Sequence, residues 1–280
     1  MSAKDFSWAI PLMRAGYAGR GIVYLAIAGI SLWAIWSGGS AQGTSSTFAR
    51  LEHSGWGIAV LLLIALGMVC YAAWRMLDAT YDLEDYGNDA KGFVARGGQI
   101  TTGLIHGAIG LAALATVLAG SVTGDGESAI ATATRWVKSL PAGIWLVGIA
   151  GALTISAGLY YAAKAWNESY RDHVIGNEVT ARWNWVLKAG VLSQAVIVTI
   201  IGGFLFYAAM TADPNQAGGL GQAFGWLRDK AYGQILVVLV CLGLIAFAVF
   251  CFMNARYRIV PRATAGDVGV TSLKQKLRTA

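Results

Sequence analysis

The chain has 280 residues, of which 56% are hydrophobic and only 13% are charged, whereas about a quarter are charged in an ordinary soluble domain. Its formal net charge is +6, but the basic residues stand at the ends of apolar stretches and in the C-terminal tail, which favours anionic lipid headgroups over nucleic acid. Composition therefore excludes a typical soluble or nucleic-acid-binding domain and predicts a protein that resides in lipid.

The three cysteines, Cys70, Cys241 and Cys251, lie within apolar runs, where cysteine behaves as a small hydrophobic residue. Their spacing predicts neither a disulfide framework nor a metal site. The first residues lack a basic stretch followed by a short apolar core and a cleavage site, so no removable signal peptide is predicted. The first apolar run is expected to be a membrane span.

Six stretches are long and apolar enough to cross a bilayer as helices, which requires about twenty residues each. In chain order they are 16–36, 57–77, 98–119, 143–163, 189–210 and 233–253. All four prolines fall outside these stretches, so each helix is expected to run unbroken and to satisfy its own backbone hydrogen bonds. The predicted fold class is an all-α membrane protein with six transmembrane helices.

Basic residues are distributed unequally between the two sides of these spans. Sixteen lysines and arginines belong to the side that holds the N-terminus, the second and fourth loops and the C-terminal tail, and five belong to the other side. Since lysine and arginine are retained in the cytoplasm, both termini are predicted to be cytoplasmic. The tail, 259–280, carries Lys274, Lys276 and Arg278 and is expected to lie on the inner leaflet, with docking to a cytoplasmic partner left open.

A threefold internal repeat organises the spans in pairs. The odd-numbered spans each begin with a basic residue, one further residue and a glycine, at Gly16, Gly98 and Gly190. In the even-numbered spans Tyr71 aligns with Tyr161 and with Phe247. The repeats cover about 14–81, 96–171 and 188–258, and because each crosses the membrane twice, they are expected to be parallel and related by a pseudo-threefold axis along the membrane normal. Short amphipathic segments at 47–51, 134–140 and 222–230 are expected to form interfacial turns or helices on the outer side.

The recurring start of the odd spans, with its downstream small residue and Ile/Val pair, and the closing segment Asn254-Ala255-Arg256-Tyr257-Arg258 resemble the bacterial membrane proteins catalogued as domain of unknown function 1206. The resemblance covers almost the whole chain. It implies six helices in three repeats and a setting in the bacterial inner membrane, but it supplies no activity.

A polar cluster is predicted among the odd spans. His106 lies roughly eight residues, or about 12 Å, into the third span, and its repeat equivalents are Tyr24 and Val198. One helical turn nearer the cytoplasm the equivalent residues are Arg20, Thr102 and Gln194, on the same helix faces. If the odd spans surround the axis, these side chains converge, and Tyr71 and Tyr161 reach them from the even spans.

Two interpretations of this cluster remain open. It holds the headgroup of an anionic lipid, a small carboxylate or a quinone, or it only joins helices through hydrogen bonds of about 0.6 kcal/mol each, with Arg20 extending to the cytoplasmic interface. Small residues predict a separate helix-packing surface. They are Gly21, Ala28, Gly103, Gly107, Gly110, Ala195 and Gly202.

The loop 78–89 clusters five acidic residues in an arrangement reminiscent of a calcium loop. Counting from Asp82, Tyr86 occupies a ligand position and Phe93 stands where the closing glutamate belongs. The loop is therefore interpreted as a solvated acidic surface that pairs with Lys91 and Arg96.

The spans lack paired carboxylates, a zinc-protease motif, a phosphate loop and a nucleophile elbow, so the chain is expected not to be an enzyme and to need no cofactor or metal. Three function classes remain: a structural or interaction module that packs with another membrane protein or with itself, a carrier or channel along the axis, and a lipid- or quinone-binding protein that uses Arg20 and His106. The module is favoured. A water-filled axial path would favour the carrier, a lateral opening to lipid would favour the ligand-binding protein, and a sealed axis would favour the structural module.

Overall fold

The computed structural model describes residues 6–119 and 129–263, and nearly all of this part of the chain is helical. The predicted positions Lys274, Lys276 and Arg278 lie outside the described residues. The α-helices, in chain order, are α1 (Ala9–Trp36), α2 (Thr44–Glu52), α3 (Gly57–Tyr81), α4 (Ala90–Ala119), α5 (Ala129–Lys138), α6 (Gly143–Trp166), α7 (Glu178–Arg182), α8 (Asn184–Met210), α9 (Leu220–Arg228) and α10 (Gly233–Tyr257).

Six of these helices, α1, α3, α4, α6, α8 and α10, are long and apolar enough to cross a membrane, which confirms the six predicted spans. Helix α1 begins at Ala9, before the predicted start at residue 16. Pro11 is tolerated there because the N–H groups of a first helical turn have no partner within the helix. The other three prolines lie in the connections, so the long helices run without a proline kink.

Each repeat consists of a long, a short and a long helix: α1–α2–α3, α4–α5–α6 and α8–α9–α10. The short helices form where amphipathic segments are predicted. Helix α2 buries Phe48 and Leu51, and α9 buries Phe224 and Leu227, so apolar side chains secure both helices to the bundle. Their location at the outer leaflet stays a prediction.

The long helices pack in the spatial order α4, α3, α1, α10, α8 and α6, which differs from their order in the chain. The two helices of the second repeat therefore stand at opposite ends of an arc. Consistent with these end positions, only 28% of the apolar window of α4 and 22% of that of α6 are buried, against 44% for α1, α3 and α10.

Glycines show why the second repeat differs from the other two. A Cβ added at Gly16 would lie 2.6 Å from Cα of Tyr71, and one added at Gly190 would lie 2.6 Å from the carbonyl carbon of Ala246, so the helices of the first and third repeats approach to backbone contact. At Gly98, the equivalent residue of α4, a Cβ would meet nothing within 4 Å. The pseudo-threefold axis stays a prediction.

The predicted small-residue positions lie at helix contacts. An added Cβ would be 2.8 Å from Met76 at Gly103, 2.8 Å from Met68 at Gly110, 2.9 Å from Phe252 at Gly21 and 2.6 Å from Ile155 at Gly202, but 3.4 Å from Ala72 at the more loosely packed Gly107. Ala28 and Ala195 are buried.

One close helix crossing lies outside the predicted packing positions: a Cβ at Gly19 would lie 2.5 Å from Cα of Gly67. This approach holds α1 against α3.

Both ends of the described chain lie at one end of the bundle. The ring of Phe6 is 5.2 Å from that of Tyr81, and Arg262 donates a hydrogen bond of 3.0 Å to the carbonyl oxygen of Tyr81. We call this end the terminal face. Toward the opposite face the bundle is filled by buried apolar side chains, among them Ile27, Ile197 and Leu244.

Candidate functional site

A cavity of about 40 Å³ lies inside the bundle near the terminal face. Its polar lining consists of Tyr17, Arg20, Arg75, Tyr161, Lys164 and Arg258, and its apolar lining of Val191, Phe247 and Phe250. These residues come from α1, α3, α6, α8 and α10 and from the residue that follows α10. Four of the nine carry a positive charge, so the site is cationic.

Arg20 is only 4% exposed. One of its terminal nitrogens donates a 3.0 Å hydrogen bond to the Tyr71 hydroxyl, and its guanidinium lies 5.0 Å from the centre of the Phe247 ring and 5.7 Å from that of Tyr24. Its Nε has no hydrogen-bond partner, and in the described part of the chain it forms no ion pair. The interpretation that Arg20 extends to the interface is therefore wrong, because aromatic rings enclose the side chain.

The Tyr71 hydroxyl joins Arg20 to a second arginine. Arg75 donates from Nε to the same hydroxyl oxygen at 3.1 Å and from a terminal nitrogen to the Tyr17 hydroxyl at 2.9 Å. The rings of Tyr17 and Tyr71 are 5.3 Å apart in an edge-on arrangement. Two guanidinium groups are thus held side by side by phenolic oxygens.

Asp78 and Glu84 neutralise part of this charge. Asp78 is fully buried, lies 3.3 Å from Arg75 and accepts a 2.6 Å hydrogen bond from Gln99 on α4. Glu84 accepts two hydrogen bonds of 2.7 Å from Arg258. The expectation of a solvated acidic surface that pairs with Lys91 and Arg96 is wrong for these residues, because both are buried and pair with Arg75 and Arg258 instead.

The guanidinium groups determine the protonation of Glu84. Burial alone would raise the pKa of this carboxyl group, but Arg258 and Arg75 outweigh burial and hold the pKa at about 2. The same ion pair raises the pKa of Arg258 despite the opposing effect of its burial. The Glu84–Arg258 pair is therefore ionised at neutral pH.

Residues after α10 connect two loops at the terminal face. Arg258 forms an antiparallel bridge with Val174, and Ile259 donates a 2.9 Å backbone hydrogen bond to His173. Arg262 forms ion pairs with Asp82 at 3.2 Å and Asp85 at 2.8 Å. We call residues 258–263, together with the loop segments 81–86 and 168–177 that they contact, the clasp.

Lys164 on α6 completes the cationic lining. Its Nζ lies 5.9 Å from the centre of the Tyr160 ring, and within the described residues it has neither a hydrogen bond nor an ion pair. The cavity therefore has four cations, while two carboxylates, Asp78 and Glu84, pair with Arg75 and Arg258. Arg20 and Lys164 carry the charge that these carboxylates do not offset.

The structure brings most of the predicted cluster together around Arg20. Gln194 donates a 3.2 Å hydrogen bond to the Tyr24 hydroxyl, and the His106 ring lies 4.8 Å from that of Tyr71. Of the predicted residues, Arg20 and Tyr161 line the cavity. Their role in binding a ligand stays a prediction.

Thr102 and His106 belong to a local arrangement of α4. His106 Nδ1 is 2.7 Å from the Thr102 carbonyl oxygen, and the Thr102 hydroxyl donates to Gly98 at 2.6 Å. A carbonyl oxygen can only accept, so Nδ1 carries the proton. His106 packs against the Tyr71 ring and does not line the cavity.

Sequence reasoning missed Arg75, Lys164 and Arg258 as members of the site. One sequence feature could have indicated them, since all three are basic residues at the end of an even-numbered span. They stand at different repeat positions, however, and only the tertiary structure directs them into one cavity.

Comparison with known proteins agrees with this architecture. The family described as Domain of Unknown Function (DUF1206) matches the chain three times, at residues 15–82, 97–168 and 189–258. The chain belongs to the DUF1206 family. The three matches confirm the predicted three-repeat organisation.

A relative of this DUF1206 chain is the uncharacterized protein YxxB of Bacillus subtilis (strain 168), which is 27% identical over 255 residues, covering 90% of this chain and 92% of the relative. No solved structure matches the chain. Together with the six long apolar helices, the comparisons fit an integral membrane protein of unassigned activity, and its function has to be argued from the cavity.

Proposed function

We propose that this protein is a non-enzymatic binding protein of a bacterial inner membrane, with both termini in the cytoplasm, and that its cavity holds an anionic group. The observation that carries the proposal is the unequal charge of the cavity, with four cations and two paired carboxylates. The excess of lysine and arginine around the terminal face supports its cytoplasmic orientation.

Physical chemistry favours a bound anion at this position. An unpaired charge removed from water carries a desolvation penalty of several kcal/mol. Arg20 is buried, Lys164 is partly buried, and neither has a carboxylate partner among the described residues. A phosphate or carboxylate next to them would offset that penalty. Guanidinium and ammonium groups form short, charge-assisted hydrogen bonds with such oxygens, and the free Nε of Arg20 supplies one unsatisfied donor.

The alternatives receive less support from the packing. A carrier or channel needs a path along the axis, whereas Ile27, Ile197 and Leu244 fill the bundle beyond the cavity. A purely structural module gains nothing from an unpaired buried cation such as Arg20, since an apolar residue of similar size would pack at least as well. The geometry therefore favours a blind pocket that receives its ligand from one end or from the side.

Lys164→Gln tests the proposal with little risk to the fold, because the ammonium group lacks an ion pair in the described structure. Lys91→Gln is the matched control: it makes the same charge change at an exposed position of α4 outside the cavity lining. Native mass spectrometry of each protein, extracted gently from its membrane, identifies retained anionic molecules. Thermal unfolding is then followed with added inorganic phosphate or phosphatidylglycerol.

We expect wild type and Lys91→Gln to retain an anionic molecule and to be stabilised by at least one of the two probes, and Lys164→Gln to lose both effects. Equal stabilisation of all three proteins would mean that the anions bind elsewhere and would overturn the proposal. So would an empty wild-type cavity that neither probe stabilises.

A further inference from the structure

The split of the second repeat leaves α4 outside the lining of the cavity. Neighbouring helices pack along the arc from α4 through α3, α1, α10 and α8 to α6, but α4 and α6 share no extensive interface in the described part of the chain. Helix α6 contributes Tyr161 and Lys164 to the cavity, and α3 contributes Arg75, while α4 contributes no residue. We call the space between the two end helices the α4–α6 gap.

Side chains on α6 link this gap to the cationic lining. Tyr160 is 60% exposed, its ring lies 6.1 Å from that of Tyr161, and it contacts the ammonium group of Lys164. On α4, Gly97 and Gly98 face empty space, where the first and third repeats have close helix contact. An aromatic and cationic surface therefore leads from the outside of α6 to the cavity.

We infer that the α4–α6 gap admits a membrane lipid, whose anionic headgroup reaches Arg20 and Lys164 while its acyl chains stay between α4 and α6. The inference rests on the proposed function and names the class of ligand. Both end helices carry exposed apolar residues, among them Leu104 on α4 and Leu159 on α6, and such residues suit acyl chains. The positive charge of the cavity complements an anionic headgroup.

The clasp makes entry to the cavity from the terminal face less accessible than entry through the α4–α6 gap. Arg258 belongs both to the cavity lining and to the ion pair with Glu84, and its backbone bridges Val174. A soluble anion that arrives from the terminal face would have to separate these contacts. A lipid headgroup that moves sideways from the bilayer leaves them intact.

The experiment narrows the gap without touching the cavity. Gly98→Trp adds a large side chain where a Cβ meets nothing within 4 Å, and Gly29→Trp does the same on α1, where a Cβ also meets nothing. Delipidated wild type and both variants are placed in phosphatidylcholine vesicles that contain phosphatidylglycerol, and native mass spectrometry follows phosphatidylglycerol loading over time. Stabilisation by inorganic phosphate is measured in parallel.

We expect Gly98→Trp to load phosphatidylglycerol severalfold more slowly than wild type, and Gly29→Trp to load at the wild-type rate. Equal loading rates for all three proteins would overturn lateral access while leaving the proposed function in place. Binding of inorganic phosphate without loading of phosphatidylglycerol would identify a soluble anion as the ligand and would also overturn the inference. If the protein neither binds inorganic phosphate nor loads phosphatidylglycerol, the proposed function itself fails.

Discussion

Arg20 on α1 and Arg75 on α3 donate hydrogen bonds to the same oxygen, the hydroxyl of Tyr71, at 3.0 Å and 3.1 Å. Arg75 has carboxylate neighbours in Asp78 and Glu84, while Arg20 has none in the described structure. The hydroxyl therefore positions one neutralised and one unneutralised arginine at the same cavity wall.

Replacing Tyr71 by Phe removes the acceptor that both arginines share. We expect a loss of about 1–3 kcal/mol of stability, since buried donors are left without a partner. Tyr161→Phe is the matched control, because its ring lines the same cavity without a described hydrogen bond. Thermal unfolding of ligand-free protein, followed by tryptophan fluorescence, compares the two. Equal losses would show that the Tyr71 hydroxyl has no special role.

Glu84→Gln should weaken the clasp. The substitution leaves Arg258 buried and unpaired, and breaking a buried ion pair on one side typically costs roughly 3–5 kcal/mol. Asp85→Asn changes the adjacent acid, whose side chain is 61% exposed next to Arg262, and should cost under about 1 kcal/mol. Limited proteolysis between residues 258 and 263 provides a local readout. Equal resistance of the clasp to proteolysis in both variants would contradict the role assigned to the Glu84–Arg258 pair.

His173 should make the clasp sensitive to acid. Burial, reinforced by Arg258 and Lys164, lowers the pKa of this imidazole to about 4, against about 6.5 in an unfolded chain. Between these two pH values the imidazole is protonated in the unfolded protein but neutral in the folded one. The free energy of unfolding therefore decreases as the pH falls from 6.5 to 4.

Melting temperatures measured across this pH range for wild type, His173→Gln and the control His53→Gln test the prediction. His173→Gln should flatten the pH dependence, and the control should preserve it. Identical slopes for all three proteins would assign the effect to other groups.

The same substitution at three equivalent glycines tests the split of the second repeat. Gly16→Ala and Gly190→Ala introduce a Cβ against backbone atoms 2.6 Å away, and such overpacking costs about 1–3 kcal/mol. Gly98→Ala faces empty space and should be neutral or slightly stabilising, since alanine favours a helix. The melting temperatures of the three variants provide the comparison. A loss at Gly98 like those at Gly16 and Gly190 would mean that α4 and α6 pack together in the folded protein.

The sequence predicted the helices, the repeats and the small residues at helix contacts, because these features depend on local composition. A span of about twenty apolar residues must be helical in lipid, so six helices followed from hydropathy, and the recurring Gly16, Gly98 and Gly190 revealed the repeats. Small residues such as Gly103 and Gly202 predicted helix contacts because close approach of backbones excludes larger side chains. These inferences needed no knowledge of which helix contacts which.

The chemistry of the cavity depends on contacts between distant residues. Glu84 and Arg258 are 174 positions apart. Nothing local distinguishes a buried acid with such a partner from a solvated one, so the sequence alone does not show that the acidic loop is buried. The sequence by itself determined six helices, three repeats and the candidates Arg20 and Tyr71. Only the tertiary structure decided that α4 and α6 separate and that Lys164 and Arg258 enter the cavity, because helix order and side-chain direction arise from packing across the whole bundle.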